Sequence, residues 1–391
     1  MLVVSGRRKV LFVTGIRSEY DLLHSAISAV HESPGMDVGL VVTGAHCSPM
    51  YGETAREVER DGFPIIARIE NLLNSDSLAG RVKSAATQLA GLVDVLAIWR
   101  PDFVVAPMDR EEAMTVALAG SYMRIPVVHI GGGDASGDGI DSNVRHAVTK
   151  LAHLHMVATA TSAKRVTELG EESWRIHVVG ALGLDRLLST REMGDDELWQ
   201  KIGRNPRGQP FALLIQHPII GEANRAGELM RLTMESLLGL GLFTFVSYPN
   251  SDAGSQRVIE VIERYSAEFP AQFHRYQNLG REEFVNLMRR AHVLVGNSSC
   301  GIIEAPLLRL PVVNIGPRQA GREHVDNIQF VEHDMDRIQT AVKRAVEDGD
   351  YRSQVARCVN PYGDGTAGRR IARILAEQAV DERLLKKIHT L

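Results

Sequence analysis

The feature that most constrains this chain is an alternation: short apolar runs of strand length are followed, again and again, by amphipathic stretches of helical period. In the first half the strand-like runs are Lys9–Thr14, Val38–Thr43, Asp102–Ala106, Pro126–Ile130, His155–Ala158 and Ile176–Gly180. Between them Leu22, Leu23, Ala26, Ile27 and Val30 recur at helical spacing, as do Leu89, Leu92, Val93 and Leu96. The pattern restarts with Phe211–Ile215, Leu242–Ser247, Phe273–Tyr276, Ala291–Val295 and Pro311–Ile315. Such an alternation predicts α/β architecture, with parallel sheets covered by helices on both faces.

A chain of 391 residues is too long for one ordinary core. Between the two series the segment 187–210 is charged and holds Gly203, Pro206 and Gly208, which marks a junction. The expected division is therefore residues 1–187, residues 188–366, and a helical tail, 367–391. Two doubly wound domains facing a cleft bind ligand outside the carboxyl ends of their strands, so the loops after the strands carry the chemistry.

Composition narrows the classes. Hydrophobic residues make up 44% and charged residues 24%, with a net charge of -4. That balance and the absence of nucleic-acid motifs predict no nucleic-acid partner. The longest apolar runs are of strand length, so no membrane-spanning helix is expected, and Met1 to Arg8 is too short for a signal peptide. Cys47, Cys300 and Cys358 are few and unpatterned, which points to a reducing compartment, the cytoplasm.

The loops can now be read in order. Arg17, in Gly15-Ile16-Arg17-Ser18-Glu19-Tyr20-Asp21, is placed by charge and bidentate geometry for a phosphate, or else is a surface arginine in a capping turn. Asp21 belongs to the same loop. His46 ends the second strand. Asp109 and Arg110 sit directly behind a buried strand, and the glycine-rich loop from His129 carries Asp134 and runs on to Asp141, Arg145 and His146. Three carboxylates on neighbouring loops, Asp109, Asp134 and Asp141, suit general acid–base work, while each alone also reads as a solvated loop acid. His129, His153 and His155 lack a supporting Cys or carboxylate set, so no metal is assigned.

In the second half His217 follows a strand, as do Asn250 and Asp252, and Arg318 follows another. The run Val295-Gly296-Asn297-Ser298-Ser299-Cys300-Gly301-Ile302-Ile303-Glu304 reads as a strand ending in a turn that opens a helix. Free N–H groups and the hydroxyls of Ser298 and Ser299 suit a phosphate, and Glu304 a ribose diol. A Ser-capped turn of no special function fits the same letters. No GxGxxG or GxxxxGK[ST] is present, which removes the main support for dinucleotide and P-loop readings.

Several of these pieces, in order, resemble the hydrolysing UDP-N-acetylglucosamine 2-epimerases of the sialic- and legionaminic-acid type, over Lys9 to about Ile328. The most specific are Asp141 to His153, Gln216-His217-Pro218, Tyr248-Pro249-Asn250, Asp252-Ala253-Gly254-Ser255 and Gly296 to Gly301. The resemblance implies a GT-B-like fold of two Rossmann-like domains with the C-terminal helix crossing back onto the first, a homodimer or homotetramer, and no cofactor. It implies UDP held by Ser298, Ser299 and Glu304 with Arg17 and His217 on the phosphates. It further implies elimination of UDP to a 2-acetamidoglycal, then hydration to free N-acetylmannosamine, with Asp109, Asp134, Asp141 and His217 as catalytic groups.

The chain departs from its relatives at Met108, where they carry Gly, at Asp134, where they carry Glu, and at Ile303, where many carry Arg. These departures keep a 2,4-diacetamido-2,4,6-trideoxy sugar open as the substrate. A non-hydrolysing epimerase and a GT-B glycosyltransferase remain the other enzyme readings; a nucleotide-sugar sensor would have no use for three cleft carboxylates.

Overall fold

The computed structural model describes residues 6–49, 53–73, 78–134, 140–249, 254–277, 279–388 and 390. The chain divides into two compact units, one of residues 1–186 with 362–391 and the other of 187–361.

The first unit holds seven strands: β1 (Arg8–Thr14), β2 (Met36–Thr43), β3 (Ile65–Ile69), β4 (Phe103–Pro107), β5 (Val127–Ile130), β6 (Leu154–Val157) and β7 (Ile176–Val178). All pair in parallel in the order β3-β2-β1-β4-β5-β6-β7. The central strands are buried on both faces, as Phe103–Pro107 shows residue by residue. Five helices matter for the site: α1 (Arg17–His31), α2 (Ala55–Arg60), α3 (Leu78–Trp99), α4 (Glu111–Tyr122) and α5 (Ile140–Leu151). On one face Leu23, Ala26 and Ile27 of α1 pack with Ile371, Ala372 and Leu375 of the helix Ala367–Glu377. Their close approach needs Gly368, where a Cβ would stand 2.5 Å from the Ser25 carbonyl oxygen. The Asp185 carboxylate accepts the N–H groups of Ala367 (2.9 Å) and Gly368 (2.6 Å), capping that helix. The C-terminal helix thus returns to the first sheet.

The second unit repeats the design with β8 (Phe211–Ile215), β9 (Phe243–Ser247), β10 (Phe273–Tyr276), β11 (Val293–Gly296), β12 (Val312–Ile315) and β13 (Ile328–Val331). The order is β10-β9-β8-β11-β12-β13, again parallel. In both sheets the winding reverses once, between β1 and β4 and between β8 and β11. Those are the topological switch points, where diverging loops leave room for a ligand.

Strands β3 and β13 were not among the apolar runs of the sequence. Both lie at sheet edges, and their exposed residues (Arg68 in one, Phe330 in the other) break the burial pattern. The expectation of no membrane-length helix needs correction. Among the described residues Ala79–Trp99, nearly all of α3, is apolar and long enough to cross a membrane by length and composition. Its apolarity is spread over Ala, Gly, Leu and Val rather than gathered in a block. Leu92 and Leu96 are buried in the core of the first unit, and α3 is the crossover from β3 to β4.

Candidate active site

In the first unit the chain leaves β4 through Met108, whose φ of +56° is left-handed, a conformation few non-glycine residues adopt. Backbone and side chain both hold this turn. The Met108 N–H donates to the Ile130 carbonyl at 2.8 Å, and His129 Nε2 donates to the Met108 carbonyl at 2.9 Å. His129 is fully buried, and burial pulls its imidazole down to about 3, so it is neutral. Its Nδ1 lies 3.1 Å from the Thr149 hydroxyl on α5. His129 is therefore a scaffold histidine that ties the β4 and β5 loops to α5.

The next residue, Asp109, is gripped by Arg145. One guanidinium nitrogen pairs with Asp109 Oδ2, and the other donates to the Asp134 backbone carbonyl at 2.7 Å. The Arg145 side chain is 7% exposed and Asp109 20%. Three residues of the sequence-predicted set thus meet through one arginine. Asp141 lies in the first turn of α5 and is exposed. Arg110 turns to Glu112, with Nε 3.0 Å from Oε2.

The other predicted residues of this unit lie apart from that grip. Arg17 is 64% exposed and pairs with Glu57 at 3.1 Å. Asp21 is ion-paired with Arg186. His46 is fully buried between two threonines, with Nε2 3.1 Å from the Thr14 hydroxyl and Nδ1 2.8 Å from that of Thr54. Burial pulls its ring down to about 4. Both of its nitrogens are engaged inside the fold.

In the second unit Asn297, 1% exposed, organises the site. Its amide closes a two-point clamp on the β8 loop: Oδ1 accepts the His217 N–H at 2.7 Å, and Nδ2 donates to the His217 carbonyl at 2.9 Å. Its own carbonyl accepts Arg318 Nη1 (3.1 Å) and Gln319 Nε2 (2.9 Å). One buried asparagine, through its side-chain amide and its main-chain carbonyl, therefore registers three loops. Gly296 makes this approach possible: its φ is +124°, and a Cβ would stand 2.1 Å from the Ile215 carbonyl oxygen.

The helix expected after this turn is a single turn, Cys300–Ile303. The N–H groups of Gly301, Ile302, Ile303 and Glu304 are spent on the carbonyls of Ser298, Ser299 and Cys300. The loop then offers the hydroxyls of the half-buried Ser298 and Ser299 rather than a long helix dipole. Glu304, with its side chain 16% exposed, lies 3.6 Å from Arg281, and burial pushes its carboxyl up. Asn250 and Asp252 lie outside the described residues. Sequence reasoning did not single out Asn297, Arg281, Glu19 or Glu112. Asn297 stood inside a recognised motif, but nothing in the letters says that its amide points at another loop. Among the described residues no group of three or more His, Cys, Asp or Glu is arranged to hold a metal ion.

The model of the UDP-N-acetylglucosamine 2-epimerase family matches residues 28–376. A UDP-N,N'-diacetylbacillosamine 2-epimerase (hydrolyzing) of Legionella pneumophila is 34% identical over 97% of this chain and 98% of its own. A UDP-N-acetylglucosamine 2-epimerase of Neisseria meningitidis is 28% identical over 88% of this chain and 89% of its own. The crystal structure of a UDP-GlcNAc 2-epimerase from Neisseria meningitidis bound to UDP-GlcNAc superimposes with a TM-score of 0.78 at 19% identity, covering 95% of this chain and all of that one. Family match, identity and fold agree with the two switch-point loops. The chain belongs to the UDP-N-acetylglucosamine 2-epimerase family, and its resemblance is to the hydrolysing members.

Proposed function

We propose that the chain is a hydrolysing UDP-sugar 2-epimerase, with the acid–base groups on the first unit and the nucleotide groups on the second. The supporting observation is the grip of Arg145 on Asp109 and on the Asp134 loop, at the switch point beside β4. The C2–H of a 2-acetamido sugar is poorly acidic, so a base must be fixed against it while the diphosphate departs. Asp109 takes the C2 proton, the C1–O bond breaks, and UDP leaves with the bonding electrons to give the glycal. Water then adds at C1 and a proton returns to C2 on the opposite face, with Asp134 and Asp141 on that exchange. His217, held by Asn297, and Ser298 and Ser299 take the diphosphate, and Glu304 the ribose. Arg17 joins by exchanging Glu57 for a phosphate.

Between the two sugars left open, the 2,4-diacetamido-2,4,6-trideoxy form is favoured. Its named epimerases from Legionella pneumophila and Campylobacter jejuni match at 34% and 29%, against 28% for the Neisseria enzyme named for N-acetylglucosamine. Asp134, one methylene shorter than Glu, fits a site reshaped for a different sugar. The test is UDP release from UDP-2,4-diacetamido-2,4,6-trideoxyglucose and from UDP-N-acetylglucosamine in parallel. Faster turnover of the second would return the assignment to N-acetylglucosamine.

The protein partner is a second copy of the chain. Val82, Ala86, Leu89, Val93 and Ala97 follow one another on α3 at three- and four-residue spacing, Val82 being 71% exposed. Lys83 and Asp94 flank the stripe near opposite ends, so an antiparallel copy sets one against the other. Val93→Asp should give a monomer by light scattering; unchanged mass would reject this face. We place the reaction in the cytoplasm, in keeping with three free thiols at Cys47, Cys300 and Cys358.

A further inference from the structure

The helix α5, which carries Arg145, is 12 residues long. A helix of that length is marginal by itself, and its carbonyl end leaves orphan acceptors that something must fill. Here each is accounted for. The Val148 carbonyl accepts the Ala152 N–H at 2.9 Å, and the Leu151 carbonyl accepts the Ser121 hydroxyl at 2.8 Å. The carbonyls of Thr149 and Lys150 accept the ammonium group of Lys387, at 3.2 and 2.8 Å. The third N–H of that ammonium goes to Glu171 Oε2 at 2.6 Å, so all of its donors are used. The cap on α5 thus comes from a residue 237 positions further along the chain.

A fixed segment delivers Lys387 to this place. Arg175, fully buried, spends every N–H it has, on the Glu172 carboxylate and on the carbonyls of His153, Arg383, Leu384 and Lys386. Leu384 lies in the core of the first unit, and the Lys387 side chain is 11% exposed. From α5 the contacts run on to the acid–base turn. Thr149, also fully buried, sets its hydroxyl 3.0 Å from the Arg145 carbonyl and 3.1 Å from His129 Nδ1. His129 in turn holds the Met108 carbonyl at 2.9 Å, one residue before Asp109. Each link is within hydrogen-bonding distance.

We propose that Lys387 and Thr149 are positioning residues for Asp109: Lys387 caps α5 and so holds Thr149, and Thr149 holds both His129, which fixes the Met108 turn, and the backbone of Arg145, which grips Asp109. The proposal deepens the reading of that turn as the acid–base loop and rests on it only for the kinetic arm of its test. Without the cap the last turn of α5 has two unfilled carbonyls and frays, and Thr149 moves with it. A displacement of Asp109 on the order of 1 Å is enough to slow proton transfer while leaving the nucleotide groups of the other unit untouched. If Lys387 served only as the ion-pair partner of Glu171, removing either charge would have the same effect.

The test uses the full chain with Lys387→Met, Thr149→Val, the two together, and Glu171→Gln. Kinetics are measured on whichever of the two UDP-sugars the parent turns over, with UDP affinity by titration. Hydrogen exchange at the Met108 N–H, which donates to the Ile130 carbonyl, is followed in parallel. Lys387→Met and Thr149→Val should each lower kcat about tenfold with UDP affinity unchanged. The double variant should lose about as much as either single one, rather than the product of about 100-fold expected of independent sites. Exchange at Met108 should quicken in all three, and Glu171→Gln should keep the parent's kcat. Parental kcat in either single variant overturns the proposal, as does a double variant that reaches the product. A Glu171→Gln that loses as much as Lys387→Met overturns it too. Should Lys387→Met fail to fold, Thr149→Val decides both arms alone. A parent that releases no UDP from any UDP-sugar would break the epimerase reading instead, and unchanged exchange at Met108 would then still overturn the proposal.

Discussion

The two switch points are built from opposite materials. Beside β4 the loops are held by charge: Arg145 on Asp109, Arg110 on Glu112 and Arg81 on Glu111. Beside β11 they are held by one neutral residue, Asn297, whose side-chain amide bonds two backbone atoms of His217 and whose main-chain carbonyl receives Arg318 and Gln319. The difference matches what the proposed function asks of each half. Proton transfer needs carboxylates whose position and charge are set by fixed neighbours. A diphosphate site needs donors aimed by a rigid backbone and gains nothing from buried acids. Glu304 there faces Arg281 at 3.6 Å.

If the contrast is right, substitutions in the two regions separate in kind as well as in size. The largest effect is expected from Asp109→Asn, which should lower kcat about 10²- to 10⁴-fold, the span of a general acid–base group, while UDP titration gives the parent's affinity. Arg145→Gln follows. It leaves Asp109 without its partner, and steady-state kinetics should show a kcat loss on the order of 100-fold with a fall in stability of about 3 kcal/mol by denaturant titration. Asn297→Ala should do the reverse, weakening UDP binding by about tenfold and costing about 1–3 kcal/mol from unsatisfied buried groups, with a smaller change in kcat. Equal kinetic signatures for Arg145→Gln and Asn297→Ala would erase the distinction.

The smallest effect lies away from both regions. Glu171 is held down to about 2 despite its burial, because His155, Lys387 and Lys150 donate to it at 3.1, 2.6 and 2.9 Å. For an acid whose folded value is depressed, the stabilisation is present above the ordinary carboxyl value and is lost as pH falls through the folded one. Glu171→Gln should therefore flatten the acid limb of the stability curve between about pH 4.5 and 2 and leave kcat at neutral pH close to the parent's.

Much of this architecture was legible in the letters. Phe211–Ile215 appeared with the boundaries the structure shows, because a strand inside a two-sided layer is a compact apolar block bounded by turn residues; Phe273–Tyr276 did so too although it lies at a sheet edge, its two aromatic ends marking it. The edge strands β3 and β13 were not, since a half-exposed strand carries polar residues and loses that signature. Residue type and loop position singled out Asp109, Arg145 and the Gly296–Glu304 turn as candidates. What they do to one another was not readable. Arg145 and Asp109 are separated by 36 residues and Asn297 and His217 by 80, and only the folded sheet brings them together. His46 is another case. The letters do not say which way a histidine after a strand turns; here two threonine hydroxyls lie against both nitrogens and the ring turns inward.

The central claim is that the Asp109–Arg145 turn performs proton exchange at C2 while the Asn297 turn holds the nucleotide. Turnover of UDP-2,4-diacetamido-2,4,6-trideoxyglucose in deuterated water, followed by NMR and mass spectrometry of the sugar, tests it most directly. The account predicts free UDP and a free manno-configured sugar carrying one deuterium at C2, with both lost in Asp109→Asn. UDP release with no label at C2, or label appearing in an intact UDP-sugar, would contradict it.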